Sequence, residues 1–178
     1  ALLYVANWRF LSQTGDYFAA DVDSSPFLHF WSLSVEEQFY FVFPLVLVAL
    51  FALGRRWRHA VPVGLVVLVT ASVAAQVFWA RTDTNHAYYG TDARLYQLLA
   101  GALLAWWWRR HRMGGDAAPR TSRGGLPFGA ATGLLLAYVL VSTNAVPLSP
   151  SNRGMLATVV AVALLFAVMT ERDRFAHG

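Results

Sequence analysis

Residues 33–53 read LSVEEQFYFVFPLVLVALFAL, a segment that opens with polar side chains and is then almost continuously apolar. A helix needs about 20 mainly apolar residues to cross about 30 Å of hydrocarbon. A membrane β-strand would instead alternate apolar and polar residues over about 10 positions. The segment therefore predicts a membrane-spanning helix that begins at a polar boundary.

Four further apolar segments have similar lengths, and they occupy residues 60–80, 93–108, 126–146 and 154–170. Residues 1–6 (ALLYVA) resemble the end of one more span. The sequence thus predicts an all-α fold: a polytopic transmembrane helical bundle with about five full spans plus the end of a truncated one.

The composition supports a lipid environment. Of the 178 residues, 57% are hydrophobic and only 13% are charged, whereas soluble domains carry about 25% charged residues. This balance excludes a disordered chain, a coiled coil and a nucleic-acid binder. The absence of Cys excludes disulfides, Cys-ligated zinc, iron–sulfur clusters and a Cys nucleophile.

The arginines predict an orientation in the membrane. All 14 basic residues are Arg, and ten of them lie in residues 55–59, 109–125 and 171–178. The positive-inside rule places these three segments in the cytoplasm. We therefore expect a multi-pass protein of the bacterial inner membrane, whose net charge of +4 needs no nucleic-acid partner.

The first polar cluster is HFWSLSVEEQFYFVFP, residues 29–44. Ionisable side chains at membrane depth are functional candidates because they are costly there. A structural role is also open, since Ser34 and Glu37 fit the capping box at a helix start. Glu36 points about 100° away from Glu37 on a helix, so one carboxylate could cap while the other faces a cavity.

The second polar cluster is AYYGTDARLYQLLAG, residues 87–101. Thr91 or Asp92 is predicted to cap the third span. Arg94 then lies in the first helical turn, where the helix dipole disfavours a cation. We expect it either to pair with Glu36 or Glu37, or to snorkel to the interface.

Other aromatic and histidine residues carry weaker signals. The aromatic residues near span ends are interpreted as interface anchors: Trp57, Trp79, Tyr88, Tyr89, Trp106, Trp107 and Trp108. The histidines outside the first cluster are predicted to lie in loops or at chain ends, without the spacing of metal ligands: His59, His86, His111 and His177. No metal site is predicted.

The block WSLSVEEQFY with its following Pro44, and the later TDARLYQLLAG, resemble the membrane acyltransferase-3 family, the O-acyltransferases of bacterial cell-surface sugars. The upstream pattern Tyr4-x-x-Asn7-x-x-Phe10 is similar to it as well. The resemblance implies that residues 1–178 are the central part of one integral-membrane domain. The family's early helix, with a basic residue and a catalytic His, is not among these residues, so the general base is expected outside them.

The resemblance implies transfer of an acyl group, most simply acetyl, from acyl-CoA to a hydroxyl of a cell-envelope or exported glycan, such as a polysaccharide or lipopolysaccharide. Acyl-CoA would be a co-substrate, and no bound cofactor is expected. The candidate catalytic residues are Glu36, Glu37, His29 and Arg94. The glutamates would orient the base or bind sugar hydroxyls, Arg94 would be a structural partner or stabilise charge, and His29 would act as a base or order the loop. The candidate substrate-binding residues are Trp31, Ser32, Ser34, Gln38, Thr91 and Asp92.

Two other functions stay open from the residues. A transporter or flippase of envelope glycolipids also needs intramembrane charges and kinked helices. A regulatory or scaffold subunit of acyltransferase type is a third alternative. The WSLSVEEQFY block favours the enzyme.

Overall fold

The computed structural model describes residues 5–12, 30–113, 126–142 and 149–176. This part of the chain is helical with short connections and contains no strand, which confirms the all-α prediction. The helices are α1 (Ala6–Ser12), α2 (Phe30–Gly54), α3 (Ala60–Thr82), α4 (Thr84–Tyr89), α5 (Thr91–Met113), α6 (Leu126–Ser142) and α7 (Pro150–Ala176).

Within these ranges, three helical segments are long and apolar enough to cross a membrane: α2, α3 and Ser151–Met169 of α7. They make the chain a multi-pass membrane protein. The expected count of five spans is not confirmed. α6 has 17 residues, and a helix of that length rises only about 25 Å. α5 begins with TDAR and ends with RRHRM, so its average apolarity is low.

The chain divides into two compact units, residues 1–99 and 100–178. In the first unit α2 packs against α1 and α3, and the short α4 packs against α1 and α3. In the second unit α6 packs against α7. α5 begins in the first unit and ends in the second.

The long helices α2 and α3 form an antiparallel helical hairpin in the first unit. Its turn closes with the Trp57 N–H donating to Leu53 O at 2.9 Å and the Ala60 N–H donating to Trp57 O at 2.8 Å. Gly64 lets the two helices approach, because a Cβ at this position would collide with the side chain of Leu50. The predicted connection at residues 55–59 is therefore present.

The first unit has a small buried core and a largely apolar outer surface, as expected for a protein surrounded by lipid. A small core holds Val35, Leu65, Ala93 and Tyr96. The outer faces of α2 and α3 expose large apolar side chains, with Phe41 77% exposed. An apolar surface of this extent favours contact with lipid.

Several boundaries differ from the sequence predictions. α2 begins at Phe30, ahead of residue 33. The segment 81–94, expected as a connection, contains the helix α4. Residues 109–113 and 171–176, expected in loops, extend α5 and α7, because Arg and Glu are good helix formers. The remaining loop residues 114–125 lie outside the described ranges.

Candidate functional site

Polar side chains of the first unit gather at one end of its helices. This end is formed by α1, the start of α2, the end of α3, α4 and the start of α5. The turn at residues 55–59 joins the other ends of α2 and α3. The polar end contains a hydrogen-bonded ring, a histidine–aspartate pair and an arginine on aromatic rings.

The hydrogen-bonded ring joins three helices that are far apart in sequence. Gln38 Nε2 donates to Asn7 Oδ1 at 2.9 Å, and Asn7 Nδ2 donates to Thr91 Oγ1 at 2.9 Å. The Thr91 hydroxyl donates to Gln38 Oε1 at 2.6 Å and closes the ring. Asn7 Nδ2 also donates to Tyr89 O at 3.0 Å, and Asn7 is fully buried. Such a closed network fixes the relative positions of α1, α2 and α5.

The carboxylate of Asp92 has a partner at each oxygen. Trp79 Nε1 donates to Oδ2 at 2.8 Å, and His86 Nε2 lies 2.9 Å from Oδ1. The His86 ring stacks on the Trp79 ring, with centroids 3.8 Å apart and an interplanar angle of 16°. Three elements, α3, α4 and α5, thus hold one carboxylate and one imidazole together.

The backbone around Asp92 is held by a serine in the middle of α3. The buried Ser72 hydroxyl donates to Asp92 O at 2.6 Å and accepts from the Tyr96 N–H at 2.8 Å. Because one hydroxyl contacts both a carbonyl and an amide of α5, it ties the first turns of that helix to α3.

Gly90 gives the histidine and the aspartate room to meet. Its φ of −65° is accessible to any residue, so the requirement is for space. A Cβ here would lie 2.5 Å from His86 Cδ2, 2.6 Å from His86 O and 2.7 Å from Asp92 Oδ1. A larger residue would therefore press directly on the pair.

Arg94 lies among aromatic rings. Its guanidinium carbon is 4.9 Å from the centroid of the Tyr88 ring and 5.6 Å from that of Trp31. Its Nε donates to Tyr88 O at 3.1 Å. Among the described residues it forms no ion pair with Glu36 or Glu37, so that expected pairing is wrong for this structure. Aromatic faces and a carbonyl take the place of a carboxylate.

The capping box is also absent from α2. Since the helix already includes Phe30, Ser34 lies one turn inside it. The buried Ser34 hydroxyl donates to Phe30 O at 2.9 Å, a bond within the helix. Thr91 and Asp92, expected as caps, use their side chains for the tertiary bonds described above.

The predicted site residues separate into two groups. The structure brings Trp31, Gln38, Thr91, Asp92 and Arg94 into the polar end. Ser32 and Glu36 are exposed, and Glu37 is half-buried. His29 lies outside the described residues. The geometry does not test a catalytic role for any of them, and these roles stay predictions.

The sequence interpretation missed Asn7, Ser72, Trp79 and His86 as site residues. Trp79 was interpreted as an interface anchor and His86 as a loop residue. The Asn7 position was visible only as part of the family pattern. His86 stands six positions before Asp92 with Gly90 between them, a spacing that a tight turn could bring together. In the parts of the chain that the structure describes, no group of three His, Asp or Glu residues could hold a metal ion.

Comparison with known proteins identifies the family. The profile of acyltransferase 3, described as an acyltransferase domain, matches residues 1–176. The chain belongs to the acyltransferase-3 family. The resemblance seen in WSLSVEEQFY is thereby confirmed. No solved structure matches the chain significantly.

The curated relatives are named as O-acetyltransferases. The chain is 35% identical over 120 residues to "Putative peptidoglycan O-acetyltransferase YrhL" of Bacillus subtilis strain 168, covering 67% of this chain and 19% of the relative. It is 37% identical over 108 residues to "O-acetyltransferase OatA" of Staphylococcus aureus strain NCTC 8325, covering 61% of this chain and 18% of the relative. The match thus spans about a fifth of the length of these relatives.

Proposed function

We propose that the protein containing this chain is a membrane O-acyltransferase acting on a cell-envelope glycan. It would move an acetyl group from acyl-CoA to a glycan hydroxyl, with residues 1–178 as the central part of its integral-membrane domain. Membership of the acyltransferase-3 family carries this proposal, and the two relatives named as O-acetyltransferases support it. Peptidoglycan is the acceptor named for the Bacillus relative.

The arginine distribution supports a position of the site at the outer face of the membrane. With residues 55–59, 109–125 and 171–178 at the cytoplasmic face of the inner membrane, the polar end of the first unit lies at the outer face. An exported glycan would meet the site there. Acyl-CoA is made in the cytoplasm, so its thioester would have to reach this end through the membrane domain.

Arg94 would supply charge stabilisation in this reaction. Attack of a hydroxyl on a thioester carbonyl places negative charge on the carbonyl oxygen, and oriented donors stabilise it. A guanidinium carries five N–H donors, and only Nε of Arg94 donates to an acceptor among the described residues. The N–H groups of both Nη atoms are thus left for a substrate oxygen.

The glutamates of α2 would bind the acceptor sugar. Ionised carboxylates accept hydrogen bonds from hydroxyl groups. Glu36 is exposed and Glu37 is half-buried. The Glu37 side chain is the more enclosed of the two, so we expect its substitution to weaken sugar binding more than substitution of Glu36. Separate substitution of the two glutamates tests this expected difference directly.

The experiment uses the full-length protein in inverted membrane vesicles, with labelled acetyl-CoA supplied to the cytoplasmic face. Label is followed into envelope glycan for the wild type, Glu36→Gln and Glu37→Gln at matched expression. We expect transfer by the wild type and a larger loss in Glu37→Gln than in Glu36→Gln. Equal transfer by all three forms would return the glutamates to a structural role.

A second outcome concerns the enzyme class itself. Absence of transfer by the wild type with several acyl-CoA donors and several glycan acceptors would contradict the acyltransferase proposal. The same vesicles then permit a direct assay of glycolipid movement across the bilayer, the activity of the alternative class.

A further inference from the structure

A strongly charged patch lies away from the polar end, at the turn that joins α2 to α3. This turn, which we call the basic turn, comprises residues 55–59 and reads RRWRH. All five residues are exposed, and Trp57 is 65% exposed. The proposed acyl transfer makes no use of them.

The backbone of the basic turn holds its arginines close together. The Arg55 N–H donates to Phe51 O at 3.2 Å, and the Arg56 N–H donates to Leu53 O at 3.0 Å. The Trp57 N–H donates to the same Leu53 carbonyl at 2.9 Å. Three guanidinium groups are thus carried on one short, ordered backbone segment, and an anion that binds them would not have to order that segment first.

The positive charge of the basic turn has no acidic partner in the described part of the first unit. No Asp or Glu occurs between Glu37, at the start of α2, and Asp83, at the end of α3. Along α2, about 27 Å separates Glu37 from the turn, and salt screens exposed charges at that distance. Arg55, Arg56 and Arg58 form no ion pair among the described residues. Their charge can be balanced by an anionic ligand.

Apolar side chains continue from the basic turn onto both helices. Phe51 and Leu53 on α2 and Val63 on α3 are exposed, and each lies within about one helical turn of residues 55–59. Both helices are long and apolar enough to cross a membrane. In a bilayer these apolar side chains would face hydrocarbon, and the arginines beyond them would lie at the level of the lipid headgroups.

The combination of arginines and exposed apolar surface favours one class of ligand. Arginine binds phosphate through several N–H donors in one plane. A phosphate compound dissolved in water would leave Trp57 and the apolar side chains without a partner, whereas a phospholipid has both a phosphate and acyl chains. Basic clusters immediately beside a membrane helix are typical of binding to anionic lipids.

We propose that the basic turn binds an anionic phospholipid, with its phosphate on the three arginines and its acyl chains along the neighbouring apolar side chains of α2 and α3. Trp57 would lie between these two parts, with its ring on the chains and its N–H toward the headgroup. A bound lipid of this kind would hold this end of the hairpin at a fixed depth in the membrane. The inference does not depend on the proposed acyl transfer.

The experiment measures which lipid contacts Trp57 in the full-length protein. All vesicles contain equal amounts of phosphatidylcholine and phosphatidylglycerol, and bromine is placed on the acyl chains of one lipid or of the other, near the headgroup. Bromine quenches tryptophan fluorescence on contact. The difference in fluorescence between the wild type and Trp57→Phe isolates the signal of Trp57.

The arginines should determine which lipid is in contact. One arginine near an anionic surface strengthens binding about 5-fold, so we expect phosphatidylglycerol to be enriched at least about 10-fold at Trp57. Arg55→Gln, Arg56→Gln and Arg58→Gln combined should bring the enrichment to within about 2-fold of none. Replacing the same three residues by Lys should retain most of it, because the charge is kept. Arg81→Gln is the matched control, since Arg81 is exposed at the other end of α3, and it should keep the wild-type value.

A second measurement needs no variant of the arginines. Added KCl should lower the wild-type enrichment, because salt screens an interaction between exposed charges. Equal contact of both lipids with the wild type, an enrichment that the triple Gln variant retains, or an enrichment that KCl leaves unchanged would each overturn the proposal. Relief of quenching by CoA or by inorganic phosphate at constant ionic strength would also overturn it, because the arginines would then bind a phosphate compound from solution.

Discussion

The two ends of α5 contain the same residue types and differ in what those residues bind. At the start, Arg94 lies on Trp31 and Tyr88 and also donates to a carbonyl. At the end, Arg110 lies over Trp106 at 5.6 Å and is exposed. A composition of arginine, histidine and aromatics therefore does not by itself make a site.

The difference comes from polar partners on other helices. The start of α5 is bonded to α1 and α2 through Thr91, to α3 through Ser72 and Trp79, and to α4 through His86. The contacts of Trp107 at the other end are to its own helix and to Phe166 of α7, all between rings. The described hydrogen bonds at the start of α5 thus join it to four other helices, whereas the contacts of Trp107 are all between rings.

The largest expected effect separates the two arginines. Arg94→Ala should lower acetyl transfer about 100-fold, the effect of removing one donor from an oxyanion site. Arg110→Ala should leave transfer within about 2-fold, since it removes an exposed cation–π contact. Initial rates in vesicles at matched expression measure both. Similar losses in the two variants would contradict a special role of Arg94 in transfer.

The sequence predicted the parts of this fold that depend on apolar length. α2, α3 and the apolar part of α7 follow from about 20 apolar residues each, and the turn at residues 55–59 follows from its arginines. The sequence predicts a start of α2 near residue 33, three residues after the observed start at Phe30. The reason is that Ser34 and Glu37 match the capping-box pattern of a helix start. Nothing local distinguishes that motif from a serine one turn inside a helix, where its hydroxyl donates to Phe30 O.

The site was less accessible from sequence because its bonds are long-range. Asn7 is 31 positions from Gln38 and 84 from Thr91, and no periodicity connects them. His86 is predicted from sequence to lie in a loop or at a chain end, whereas the structure places it on the six-residue helix α4. Its position depends on the turn at Gly90. A side chain at residue 90 would collide with His86 and Asp92, and this can be seen only once both residues are placed in the structure.

A smaller effect is expected from two glycines near and within α5. Gly90→Ala places a Cβ against His86 and Asp92, and overpacking of this kind costs about 2 kcal/mol. Gly101→Ala places a Cβ with no atom within 4 Å apart from its neighbours and the local helix backbone, and Ala favours a helix over Gly by about 1 kcal/mol. Thermal unfolding of the purified protein in detergent should thus show opposite shifts. A stable Gly90→Ala protein that keeps full transfer would show that the pair tolerates separation.

The smallest effect concerns threonine hydroxyls with different partners. Thr91→Val removes a hydroxyl that joins Asn7 and Gln38, and unsatisfied partners then cost about 1 kcal/mol. Thr158→Val removes a hydroxyl that donates only to Gly154 O within α7, and we expect a loss below about 0.5 kcal/mol. The free energy of unfolding in denaturant measures both. Because Asn7 is buried with Gln38 as its second ring partner, Thr91→Val combined with Gln38→Leu should cost less than the sum of the single changes. Additive losses would show that the three side chains do not act as one ring.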